Sequence, residues 1–136
     1  VMEYFGVKKT EKEIGYIACT SEKFGTSANG LRRAARHYGF KIQIKNNATF
    51  QDIQKWLSKK IPVIVDWFSY EYGKFDGHYS PVAGLDKNFI YLQDPEIGRI
   101  RRLERNYFMS VWFDFPDEYI KSKNDLILRR IIVVYK

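Results

Sequence analysis

The chain has 136 residues, enough for one domain with a real core; 45% are hydrophobic and 17% aromatic, which excludes the charged, aromatic-poor composition of disorder. A formal charge of +7 could attract phosphates, anionic lipid or an acidic partner. No stretch approaches the roughly 18 to 20 apolar residues of a membrane span, and no signal peptide is expected from a chain opening Val-Met-Glu-Tyr-Phe.

Val1 to Phe5, stopped by Gly6, reads as the last turn of a helix whose start lies outside the chain. Thr10 to Glu13 has the form of a capping box, and Ile14, Ile17 and Ala18 give the helix behind it a short apolar face. Ser27 is a cap for a second helix running through Arg36, with Gly39 as its stop. Phe40 to Lys45 alternates as a half-buried strand does. Thr49 and Asp52 mark a third capped start, with Ile53, Trp56 and Leu57 at helical spacing.

Beyond this point the pattern becomes strand-like. Ile61 to Phe68 reads as a central strand, and Ser69 to Gly77 as a polar, aromatic loop. Two strands, His78 to Leu85 and Phe89 to Gln93, are joined across Asp86-Lys87-Asn88 as a hairpin. Arg99 to Leu103 is a further strand, Glu104 to Trp112 a short helix, and Leu126 to Tyr135 a final β-branched strand. Helices first and antiparallel strands afterwards predict an α+β domain, its N-terminal helices packed on a C-terminal antiparallel sheet.

The hairpin carries the chemistry. A three-residue loop sets Leu85 opposite Phe89 and Ser80 opposite Asp94. His78 then lies one diagonal step from Asp94 on the same face, roughly 7 to 8 Å away at Cα. Val82, Ile90 and Leu92 share that face. A two-residue loop would put the pair on opposite faces, because side-chain alternation along a strand is strict. A carboxylate beside an imidazole fixes its tautomer and stabilises the imidazolium, and such a histidine can hold a thiol as thiolate. On pattern alone, Asp94-Pro95 could equally mark a turn and His78 could be an ordinary polar residue.

The stretches Gly77 to Asp86, Ile90 to Pro95 and Gly98 to Arg101 resemble the papain-like, bacteriocin-processing cysteine peptidases, family thirty-nine, which cleave leader peptides after a double glycine. Tyr4 to Val7, Gly25 to Leu31, Pro62 to Val65 and Trp112 to Asp114 extend the likeness to about Phe115. The resemblance implies a papain-like fold, one peptidase-like domain over 1–136, and a peptide or leader-peptide substrate. It makes His78 the general base and Asp94 its orienting partner. The family's nucleophile lies in a Cys-Gly dipeptide opening the first helix, with a glutamine of the oxyanion hole a few residues earlier. Both positions would precede Val1, so the chain as given is expected to be inactive.

Cys19 is the only cysteine, which rules out an internal disulfide and is compatible with a reducing, cytoplasmic setting. Near the end of a helix it reads as a packed, inert thiol rather than a substitute nucleophile. With His37 and His78 it shows no metal-site spacing, and neither a zinc site nor a cofactor is expected. Trp67, Tyr70, Tyr72 and Phe75 either line a substrate groove or form a strand's buried side and its loop. Arg32, Arg33 and Arg36, and Arg99, Arg101, Arg102 and Arg105, read as solvated faces. Two alternatives stand beside the peptidase: a non-catalytic peptide- or leader-binding domain of the same fold, and a basic polyanion-binding module. No nucleic-acid motif supports the latter.

Overall fold

The computed structural model describes residues 1–71, 74–116 and 119–136. A short 3-10 turn, Met2–Phe5, ends at Gly6, whose φ of 80° is the left-handed stop that glycine adopts without steric cost. Helix α1, Glu11–Ala18, begins with the expected reciprocal cap between Thr10 and Glu13. Helix α2, Ala28–His37, starts on Ser27, whose hydroxyl accepts from the Gly30 amide. The two helices pack so closely that a Cβ on Gly30 would lie 2.5 Å from the Ala18 carbonyl oxygen. Arg33 is not merely part of a solvated face. Its guanidinium donates to the carbonyls of Ile17 and Ala18 at 2.8 and 2.7 Å, satisfying acceptors that the end of α1 leaves open.

Strand β1 is Lys41–Lys45, and α3, Phe50–Leu57, carries the second expected cap, between Thr49 and Asp52. Then follow β2 (Val63–Glu71), β3 (Lys74–Leu85), β4 (Phe89–Asp94), β5 (Arg99–Glu104) and α4 (Arg105–Val111). Where a loop was expected from Ser69 to Gly77, residues 69–71 and 74–77 are instead strand, with pairing from Ile64↔Pro81 out to Glu71↔Lys74, and 72–73 lie outside the described residues. The single final strand is two, β7 (Ile127–Leu128) and β8 (Arg130–Tyr135), broken at Arg129, which has a positive φ of 46°. Strand β7 pairs with β6 (Phe113–Asp114), while the main sheet is antiparallel in the order β1-β8-β2-β3-β4-β5.

Helices lie on both faces of this sheet, which explains the near-continuous apolar runs of β2 and β8. On one face Val63, Val65, Trp67, Val82, Ile90, Leu92, Ile131 and Val133 pack with Ile53 of α3 and Phe108 of α4. On the other, Ile132 and Val134 pack with Phe40 and Ala35, and Met2, Phe5 and Leu31 close over them. Phe108 is the keystone of the first face: its ring lies 5.0 Å from Trp112, 6.1 Å from Trp67 and 6.3 Å from Phe50. Phe108→Ala should therefore cost about 3–5 kcal/mol of folding stability. Urea denaturation measures it, and a loss below about 1 kcal/mol would show that α4 is not anchored through this ring.

Candidate active site

The β3–β4 hairpin does not turn as the sequence suggested. Asp86 donates its N–H to the Phe89 carbonyl across Lys87-Asn88, and Leu85 faces Ile90 rather than Phe89. This is the two-residue turn that, continued regularly, would separate His78 from Asp94. A register shift intervenes: Gly84 pairs with Tyr91 but Val82 pairs with Leu92, so Ala83 is an extra residue on β3. A bulge of this kind restores the alternation that the tighter turn removes. Asp86 fixes the turn by accepting from the Tyr91 hydroxyl and from the amides of Asn88 and Phe89, and these bonds, the Tyr91 one foremost, hold its carboxyl below its ordinary pKa.

The bulge brings the two candidate residues together. His78 Nε2 lies 2.7 Å from Asp94 Oδ1. Asp94 is wholly buried and sits at the start of the β4–β5 turn, where its Oδ1 also accepts from the Glu96 amide and its backbone carbonyl accepts from Gly98. The Asp94-Pro95 pair thus marks a turn and also supplies the carboxylate. Arg101, on β5, donates to Asp94 Oδ2 at 3.1 Å and to the Ser69 hydroxyl at 2.8 Å, and its guanidinium lies over the Trp67 ring. With His78 Nε2 directed at the Asp94 carboxylate, Nδ1 is the ring nitrogen left on the side of the Glu96 carboxyl.

Arg101 is the residue that pattern reading missed. Within β5 it shares its face with Leu103, while Ile100 is exposed. The strand therefore turns the reverse of the face a solvated arginine run suggests. Arg102 remains at the surface over Phe89, whereas Arg105 is half-buried, lying over Phe50 and donating to the carbonyls of Asp86 and Lys87.

The imidazole faces a cavity of about 740 Å³ lined by Glu11, Ser69, Lys74, Gly77, His78 and Glu96, among others. Its second nitrogen is 4.0 Å from the Glu96 carboxylate. His78, Asp94 and Glu96 could converge on a cation, since their ligand atoms lie within 4.8 Å of one another. Asp94 already serves three donors, however, and a metal there would have to displace them. Trp67 is a core residue, as the simpler reading held, and its indole N–H donates to the buried Ser80 hydroxyl. Tyr70 and Phe75 do not line the cavity. Their rings pack against each other at a tilt, and Phe75 also stacks with Phe68. Tyr72 lies outside the described residues.

Cys19 is a correction. It is exposed rather than packed, as the left-handed C-cap of α1 with φ 54°, and it is absent from the lining of the His78 cavity.

A family model described as the Peptidase C39 family matches residues 1–115. The chain belongs to that family, and is a peptidase-like domain of papain-like α+β fold. Among solved structures it is similar to the peptidase domain of Streptococcus ComA, a bi-functional ABC transporter involved in a quorum sensing pathway. The TM-score is 0.68 at 19% identity, over 98% of this chain and 82% of that one. The peptidase domain of Streptococcus mutans ComA gives a TM-score of 0.53 at 20% identity, over 92% and 86% of the two chains. These likenesses carry the fold. No curated protein matches the chain. No helix among the described residues is long and apolar enough to cross a membrane.

Because Asp94 is fully buried, removing its cation leaves an unpaired charge. Arg101→Met should destabilise the chain by about 3–5 kcal/mol in urea denaturation. A loss under about 1 kcal/mol would mean that His78 and the Glu96 amide alone hold the carboxylate.

Proposed function

We propose that this domain supplies the general base and its orienting carboxylate to a thiol-dependent peptidase acting on peptides or leader segments. The observation that carries the reading is the bond from His78 Nε2 to the buried, Arg101-paired Asp94. It leaves Nδ1 uncommitted to Asp94, beside Glu96 in the cavity lining. His78 Nδ1 takes the proton of a cysteine thiol, and the thiolate attacks the peptide carbonyl to form an acyl-enzyme. The imidazolium returns the proton to the leaving amine, and His78 then activates the water that releases the acyl group. Asp94 stays ionised throughout and steadies the imidazolium.

The family pattern has the thiol in a Cys-Gly dipeptide, which these 136 residues do not contain. Cys19 stands apart from the cavity and is not assigned that role. One observation favours a second reading, a leader-binding domain without hydrolysis: no cysteine lines the cavity that His78 faces.

One experiment separates the two. The protein is expressed from its full open reading frame and assayed on peptides containing a double glycine. Hydrolysis is expected, and His78→Ala should lower kcat by about 10²–10⁴-fold. Binding without hydrolysis would establish the second reading. Hydrolysis indifferent to His78→Ala would contradict the assignment of the base.

A further inference from the structure

Behind His78, on the opposite face of the sheet, lies a second group of ionisable side chains that the proposed chemistry does not use. Asp66 of β2 stands between Tyr79 of β3 and Arg130 of β8 in one row across three adjacent strands. It is 1% exposed, and Arg130 reaches its Oδ2 at 3.5 Å. Asp66 Oδ1 has no hydrogen-bond donor among the described residues. Asp114 arrives from β6, its Oδ1 accepting from the Phe115 amide at 2.8 Å. The two carboxyls lie together. Burial first, and then the neighbouring Asp114, push Asp66 up to about 8, and burial likewise raises Asp114. Two carboxyls this close are eased by sharing one proton.

Asp114 also touches the strand that carries the imidazole. A Cβ built on Gly77 would lie 2.7 Å from both Asp114 Cγ and Oδ2, so the carboxyl fills the space of the side chain that Gly77 lacks. Successive residues of a strand point to opposite faces. Gly77 and Tyr79 therefore face this cluster, while His78 and Ser80 face the candidate active site. We propose that Asp114 is a positioning residue for His78: it braces the Gly77 Cα from behind and fixes the strand segment from which the imidazole reaches Asp94. The inference rests on the reading of His78 as base for its catalytic meaning, but its geometry is tested without catalysis.

Ionisation should act through the same contact. Asp66 is faced by Asp114, Arg130 and Tyr79, and Asp114 by Asp66, Arg130 and Asp76. As pH rises through about 8, the shared proton leaves and the two like charges repel. Asp114 is then driven against Gly77, and the disturbance reaches His78.

The chain has only two histidines, and His37 is exposed on α2, so NMR of histidine-labelled protein reads His78 against an internal reference. Asp114→Ala removes the brace, and Gly77→Ala drives a methyl into it. Each should speed solvent exchange of the His78 Nε2 proton about tenfold or more, the equivalent of one weakened hydrogen bond. Asp114→Asn keeps the shape and should stay near the parent rate. The double variant Gly77→Ala/Asp114→Ala should recover most of the loss, because the methyl then occupies the vacated space. The parent's His78 ring shift should also bend near pH 8, and Asp114→Asn should abolish that bend.

Exchange in Asp114→Ala within about twofold of the parent overturns the proposal, since that is far less than one hydrogen bond. So does a double variant that is no better folded and no slower in exchange than Gly77→Ala. Loss of the pH 8 inflection in the parent itself counts against the ionisation limb. None of these outcomes touches the dependence of peptide hydrolysis on His78, so the two readings fail separately.

Discussion

A carboxylate taken wholly out of water must be paid for in hydrogen bonds, and Asp94 is the place where this fold meets that demand. Three donors converge on it: the His78 ring, the Glu96 amide and the Arg101 guanidinium. Each comes from a different part of the sheet, so satisfying one buried charge fixes the relative positions of β3, the β4–β5 turn and β5. Arg101 extends the link to Ser69 on β2 and to the face of Trp67. The histidine is oriented by the same bond that stabilises the fold. Its other nitrogen lies beside Glu96 in the cavity lining because the first is committed to Asp94.

Local chemistry was the most legible part of the sequence. Both capping boxes, the Ser27 cap and the Gly6 stop lie where side-chain and backbone preferences put them. These signals depend on residues three or four apart and need no tertiary context. The hairpin was harder. Its turn is tighter than Asp86-Lys87-Asn88 suggested, and the expected pairing of His78 with Asp94 survives only because Ala83 bulges. Two departures from the expected register cancel, and neither leaves a mark in the local pattern. The stretch Ser69 to Gly77 read as a loop because its polar and aromatic residues lack a buried stripe, yet residues 69–71 and 74–77 pair with each other as parts of β2 and β3.

Arg101 and Asp114 were illegible for a different reason. An arginine in a run of arginines looks solvated, and Asp114 entered only as part of the family-like stretch Trp112 to Asp114. What makes each important is a partner distant in sequence: Asp94 across a strand pair for one, Asp66 and the bare Cα of Gly77 for the other. The sole clue to Arg101 was parity, since it shares a face with Leu103 and not with Ile100. Cys19 went the other way. The helix that holds it was recognised, but its position as a left-handed cap turns it outward.

The orientation of the His78 ring decides whether this site is organised as described, and nitrogen NMR of histidine-labelled protein measures it directly. In the neutral ring the proton should reside on Nε2, with a downfield, slowly exchanging resonance held by Asp94. A neutral ring protonated on Nδ1, or an Nε2 proton exchanging as fast as that of exposed His37, would contradict it.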